Sequence, residues 1–287
     1  MNSITPKASI IYLTKNGGEL FRQSLDSVFH QECDFPFEVV VVDSGSTDGT
    51  LEFLERYPVR LVQIAPGEFN FGLTRDYGFS LGAGEIIVSL SQDAVPAGSA
   101  WLQTLCTPFA DPEVAVAQGV EAIPGDREVF FWDRIRLSYY TRETVRWKMR
   151  HEGVGLSFVN CALRKSVWME NPMGPVEMSE DKIFQRNLAR HGHRIVLVPE
   201  AEAWHGHQYD RRSLEKRSRN EGLGWRLVDI DYSRRDMLLD IFHPLIWAVL
   251  VYGLVTLQVR TSAELLFPWI RPLNLYRGNR SGGRYVQ

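Results

Sequence analysis

Carboxylates, imidazoles and one guanidinium carry the chemistry this chain could perform. Asp93 lies in the stretch GEIIVSLSQDAVP, in which Ile86-Ile87-Val88 is the β-branched run of a buried strand, a polar stop with Gln92 and Asp93 follows at once, and Pro96 closes it. Ligands of open α/β sheets bind beyond the carboxyl ends of strands. Asp93 therefore stands either where a phosphate-bound metal could sit or, in a common use of Asp, at the cap of the next helix. Glu180 and Asp181 precede Ile183, Phe184 and Leu188 in MSEDKIFQRNL, so both fall in a first helical turn, whose dipole favours ionised carboxylates. They suit a general base equally with two plain helix-terminal acids. His205 and His207, two apart on an extended segment, point to one side, as a metal or a diphosphate would require. Asp43 lies in a Ser/Gly turn as a possible helix cap, and Arg75 on a helix where it could also be solvated.

The elements that position these groups alternate. Ala8–Thr14 reads as a strand, followed by a helical face of Leu20, Phe21, Leu25, Val28 and Phe29. Phe37–Val42 is a strand apolar on both faces, Val59–Ile64 a strand, Thr74–Leu81 a helix and Ile86–Leu90 a strand. Trp101–Phe109 reads as helix, Val114–Val120 as strand, Gly155–Trp168 as a strand running into a helix, and Arg194–Pro199 as strand. This order predicts an α/β domain with a mostly parallel, Rossmann-like sheet flanked by helices. Between them, Val129–Arg150 mixes Phe130, Phe131, Trp132, Tyr139, Tyr140 and Trp147 with Arg134, Arg136, Arg142 and Arg146. Such a segment could line a sugar groove or pack on the sheet.

The 287 residues, 44% hydrophobic, suffice for one large domain with an appendage. A net charge of −3 gives no basic field for nucleic acid. Three scattered cysteines, Cys33, Cys106 and Cys161, fit neither a disulfide framework nor structural zinc, and the N-terminal run is better used as a first strand than as a signal peptide. A reducing cytosol is the expected location.

The succession of ASIIYLTKN, VVVVDSGSTDGT, GLTRDYG and GEIIVSLSQDAVP resembles the family 2 inverting glycosyltransferases of GT-A fold. The likeness is close over residues 1–110 and continues to about 225. It implies a nucleotide-binding half (1–110) and an acceptor-binding half (111–225); beyond it, the composition of 226–287 reads as a C-terminal helical, basic extension. It also implies nucleotide contacts from Thr14, Asp43 (at the base), Arg75 (at the diphosphate) and Gln92. Ser91-Gln92-Asp93 stands at the family's DxD motif without its first acid, leaving Asp93 to hold a divalent metal, Mg or Mn, with His205 and then His207. Asp181 takes the place of the general base and Glu180 that of its neighbour. Within the family, GEFNFGLTRDYG, LSQDAVP, SEDK and WHGHQY are most similar to bacterial rhamnosyltransferases using dTDP-L-rhamnose for cell-surface polysaccharide, although Phe71 stands for an expected His and Asp76 for an Asn. The alternatives are a UDP- or GDP-sugar donor, a nucleotidyltransferase, or a silent sugar-nucleotide-binding scaffold.

No Asp, Glu, Lys or Arg occurs from Ile241 to Val259, while Arg234, Arg235 and Arg260 flank the run and Arg271, Arg277, Arg280 and Arg284 follow. Interrupted by His243, Pro244 and Gly253, it reads as an in-plane or protein-buried helix before a span. The expected partner is an anionic cytoplasmic membrane surface carrying a lipid-linked acceptor, with the enzyme peripheral to it.

Overall fold

The computed structural model describes residues 5–123, 125, 128–138, 155–227 and 231–281. Pro124, Asp126, Tyr139, Tyr140, Arg142, Arg146, Trp147 and Arg284 lie outside the described residues.

One eight-stranded sheet organises the chain. Its strands are β1 (Ala8–Thr14), β2 (Phe37–Asp43), β3 (Val59–Gln63), β4 (Ile86–Leu90), β5 (Val95–Pro96), β6 (Val114–Ala122), β7 (Asn160–Arg164) and β8 (Arg194–Trp204), in the spatial order β3-β2-β1-β4-β7-β6-β8-β5. The strands β1 to β4 run parallel. Antiparallel β7 then joins them to the parallel pair β6 and β8, and β5 closes the far edge antiparallel to β8. The helices are α1 (Gly18–Phe29), α2 (Thr50–Leu54), α3 (Phe71–Leu81), α4 (Trp101–Cys106), α5 (Phe131–Ser138), α6 (Lys165–Glu170), α7 (Glu180–Arg190), α8 (Arg211–Leu227), α9 (Arg234–Ile241), α10 (Pro244–Val255) and α11 (Ser262–Asn279).

Period-two alternation explains the continuous apolar runs, because both faces of the strands are covered. Ile10, Tyr12, Val39, Val41, Ile86 and Val88 pack with residues of α1 and α4 such as Phe21, Leu25 and Leu102. Their neighbours Ile11, Val40 and Ile87 pack on the other side with Phe79, Trp168, Phe184 and Leu188 of α3, α6 and α7.

Some boundaries differ from the sequence reading. The helix expected over Trp101–Phe109 ends at Cys106 and tightens into a 3₁₀ turn containing Pro108, which has no N–H to continue the ladder. Helix α3 begins at Phe71, three residues early, because the Asn70 side chain accepts from the Leu73 N–H at 3.1 Å. Strand β8 runs five residues past Pro199, to Trp204, and that extension builds the site.

Candidate active site

Three strand ends deliver the acidic and imidazole groups to one place. Asp93 lies two residues before β5, whose Val95 pairs with Trp204 on β8, so the residue after Trp204, His205, emerges beside it. On the other flank, Glu121 of β6 pairs with Ala203, and the His205 N–H donates to the Ala122 carbonyl at 2.9 Å. A bulge makes this register: Gln118 pairs with Leu197 but Val120 with Glu202. Buried Asn160 fills it, donating to Val120 O (3.2 Å) and Ala201 O (2.9 Å) and accepting from Trp101 Nε1 (3.0 Å). Gly119 is obligatory at that point, since a Cβ there would stand 2.4 Å from the Asn160 amide.

Asp93, His205 and His207 each offer one ligand atom, and these atoms lie within 4.8 Å of one another. Asp93 Oδ1 is 3.5 Å from His205 Nε2 and Oδ2 is 3.6 Å from His207 Nδ1. His205 Nδ1 lies 3.0 Å from Glu121 Oε2, so its two nitrogens face two carboxylates. Burial alone would pull His205 down, but its hydrogen bonds to Asp93 and Glu121 outweigh this and push its pKa up to about 10. Burial likewise opposes ionisation of Glu121 and Asp93. The His205 hydrogen bond overcomes it in both, bringing Glu121 down to about 2 and Asp93 well below the usual carboxylate range. His207 moves the other way, to about 4, through burial and then the charge of its neighbour His205. Two carboxylates and two imidazoles thus converge on one place, where a protonated His205 balances the carboxylates and, once it gives up that proton, the Asp93, His205 and His207 donor set can hold a divalent metal. The His207 carbonyl accepts from Phe130 N–H at 2.9 Å, which pins this loop to the segment entering α5.

Asp181 lies in the first turn of α7, preceded by Ser179, which takes the left-handed conformation at φ 61° that a non-glycine residue rarely adopts. Lys182 anchors the carboxylate: its N–H donates to Asp181 Oδ1 at 2.8 Å and its Nζ lies 3.2 Å from Oδ2. The same ammonium donates to the Leu156 carbonyl, and the next residue, Ser157, hydrogen-bonds Glu121, which links the Asp181 turn to the histidine cluster. Glu180 turns inward instead. Arg75 places Nε and Nη2 each 3.0 Å from Glu180 Oε1, donates from Nη1 to Ser89 Oγ at 2.9 Å and lies over the Phe158 ring at 4.7 Å. Arg75 was expected at a diphosphate; in the structure its guanidinium is buried against Glu180, because residue 75 falls on the inner face of α3 with Gly72, Thr74, Gly78 and Phe79.

Thr14 and Asp43 are register partners at the ends of β1 and β2. Thr14 Oγ1 (2.6 Å) and the Lys15 N–H (3.0 Å) both donate to Gln92 Oε1, tying the β1 loop to the residue before Asp93. Asp43, expected to touch a base, is fully buried. Its Oδ1 accepts from Gly45 N (2.9 Å) and Ser46 N (3.0 Å) and its Oδ2 from the Ser46 hydroxyl, so the carboxylate folds the turn. Gly45, at φ 93°, makes that turn passable. Glu121 and Lys182 escaped the sequence reading. Glu121 carries the signal that found Asp93, an acid at the end of an apolar strand, whereas Lys182 offers none.

The family model for glycosyl transferase family 2 matches residues 9–170, more than half of the chain. The O-antigen chain rhamnosyltransferase RfbN of Salmonella typhimurium is 27% identical over 227 residues, 76% of this chain and 72% of that protein. Among solved structures, the mannosyltransferase PcManGT from Pyrobaculum calidifontis, in complex with GDP-Man and Mn2+, superposes with a TM-score of 0.65 at 17% identity, covering 98% of this chain and 89% of its own. Glucosyl-3-phosphoglycerate synthase from Mycobacterium tuberculosis, with Mn2+ and UDP, gives 0.58 at 18% identity over 78% of this chain and 80% of its own. At such identities the likeness to the solved structures is one of fold, which is GT-A. The chain belongs to glycosyl transferase family 2 and is a glycosyltransferase that draws on a nucleotide-sugar donor.

Proposed function

We propose that the protein moves L-rhamnose from dTDP-L-rhamnose onto a hydroxyl of a cell-surface polysaccharide or lipid-linked glycan, inverting the anomeric centre. The observation that carries the chemistry is the link, through Lys182, the Leu156-Ser157 segment and Glu121, between the Asp181 helix terminus and the Asp93, His205 and His207 cluster. The sugar rests on the likeness to RfbN.

In this reading Asp181 takes the proton of the acceptor hydroxyl as that oxygen attacks the anomeric carbon from the face opposite the leaving diphosphate. Lys182 holds its carboxylate in place, and Glu180, held by Arg75, fixes the helix turn on which Asp181 sits. Asp93, His205 and His207 would hold a divalent cation, which when bound neutralises charge developing on the departing nucleoside diphosphate. Two imidazoles and one carboxylate fit Mn2+ better than Mg2+, which prefers oxygen ligands. Glu121 fixes the tautomer and orientation of His205. Thr14, Gln92 and the turn folded by Asp43 form the nucleotide wall. Residues 1–225 serve as the catalytic unit, in halves divided near 110, and 226–287 as an extension at the cytoplasmic face of the membrane, where a lipid-linked acceptor resides.

Calorimetric binding of dTDP, UDP and GDP, with Mn2+ and with chelator, tests the reading. Metal-dependent preference for dTDP is expected; preference for GDP or UDP would replace the sugar, and no binding would refute the whole. Asp181→Asn should abolish transfer while leaving dTDP affinity within about threefold; retained transfer would remove Asp181 from the base role.

A further inference from the structure

Helix α10, PLIWAVLVYGLV, is apolar all round, a pattern that belongs in a protein core or in lipid. It is not in a core: Val251, Val255 and Leu257 after it are 57%, 77% and 78% exposed, and only 11% of the most apolar stretch of Arg234–Val255 is buried. Phe242, in the bend between α9 and α10, is 71% exposed. Together these make a contiguous apolar surface on two successive helices, larger than scattered exposed side chains explain.

Geometry decides between spanning and lying flat. The chain turns at Phe242-His243, with Pro244 opening α10, so the stretch is two helices of 8 and 12 residues. Twelve residues rise about 18 Å, short of the roughly 30 Å of a bilayer core. One side of α10 is also held by protein. Leu250 is buried, and Gly253 sits so close to Phe131 that a Cβ would meet its ring at 2.6 Å. The charges favour an anionic partner: Arg234 and Arg235 are exposed at the end of the crease lined by Leu238, Leu239, Phe242 and Pro244, and neither forms an ion pair among the described residues. Trp247 and Trp269, 4.8 Å apart between ring centroids, add the aromatic pair common at headgroup depth.

We infer that α9 and α10 form a monotopic face that lies in the plane of an anionic phospholipid surface, its apolar side chains below the headgroups and Arg234 and Arg235 among the phosphates. This names the surface for the membrane-borne acceptor proposed above and rests on that reading for its purpose. The face is joined to the active site: Phe131 bears on Gly253, and the adjacent Phe130 holds the His207 carbonyl. The membrane plane is thereby fixed relative to the catalytic cluster, as transfer to a lipid-linked glycan requires.

Co-sedimentation of the full chain with phosphatidylcholine vesicles, with and without phosphatidylglycerol, tests the inference without donor or acceptor. Binding is expected to phosphatidylglycerol vesicles, to weaken with salt, and to be reversed by alkaline carbonate. Each of Arg234→Gln and Arg235→Gln should weaken it about fivefold, and Phe242→Ser with Leu257→Ser by about tenfold or more. No binding to either vesicle, binding indifferent to these variants, retention after carbonate as a spanning helix would show, or loss of the exposed face to a concentration-dependent dimer would each overturn it. Metal-dependent dTDP binding, measured on the same preparations, is expected to be unchanged, so a failed docking face and a failed transferase reading give different results.

Discussion

Replacing Arg75 separates two accounts of that residue. Its guanidinium and the Glu180 carboxylate are about nine-tenths buried, joined by two 3.0 Å contacts, with Ser89 and the Phe158 ring completing the enclosure. Arg75→Ala would leave the Glu180 charge buried and unpaired, a loss of about 3–5 kcal/mol. At roughly 2–4 °C per kcal/mol for chains of a few hundred residues, the Tm should fall by about 6–20 °C. Arg75→Met combined with Glu180→Met removes both charges and fills the space. Ser89 Oγ still donates to the Phe158 carbonyl at 2.7 Å, so no new polar orphan arises there. The double variant should therefore recover to within about 2 kcal/mol of the parent in urea denaturation. Nucleotide affinity is the deciding readout. If the pair only braces the Asp181 turn, calorimetric dTDP binding by the double variant stays within about threefold of the parent. A charge-assisted grip on the diphosphate is worth about 1.5–3 kcal/mol, or about 10–150-fold. A loss of that size in a stable double variant would refute the bracing account and return Arg75 to the diphosphate. Equal destabilisation by the single and double variants would refute the pairing argument itself.

Glu121→Gln should weaken Mn2+ binding by about 10–100-fold, followed by electron paramagnetic resonance of the free ion; unaltered affinity would remove Glu121 from the support of His205. Asp93→Asn should lower dTDP affinity in Mn2+ to the value seen in chelator, and an equal drop in chelator would count against metal coordination. Asn160→Leu should cost about 2–5 kcal/mol in urea denaturation by stranding Trp101 Nε1 and the carbonyls of Val120 and Ala201; an unchanged midpoint would show the bulge stable without it.

The five strands β1 to β4 and β6 were legible because each is a short β-branched or apolar run ended by Gly, Asp or Pro, and local composition is enough to specify a strand covered on both faces. The sequence also singled out Asp93, His205 and His207, which the structure brings together, since an acid or imidazole beyond an apolar strand is a local signal. Pairings between distant segments were not legible. Glu121 supports His205 only because a bulge opposite Asn160 sets β6 and β8 in that register, and Arg75 meets Glu180 across 105 positions of sequence. A lone Arg on a helix reads the same whether it faces solvent, a phosphate or a buried carboxylate; the choice depends on what packs against that face. Asp43 shows the same limit at short range, because the path of its turn decides whether backbone N–H groups occupy its oxygens. Residue types and their order thus determined the family, the sheet and the groups able to do chemistry. Tertiary packing alone decided which of those groups are free to act and which are held by one another, since burial and hydrogen-bond partners belong to the folded surroundings rather than to the residue.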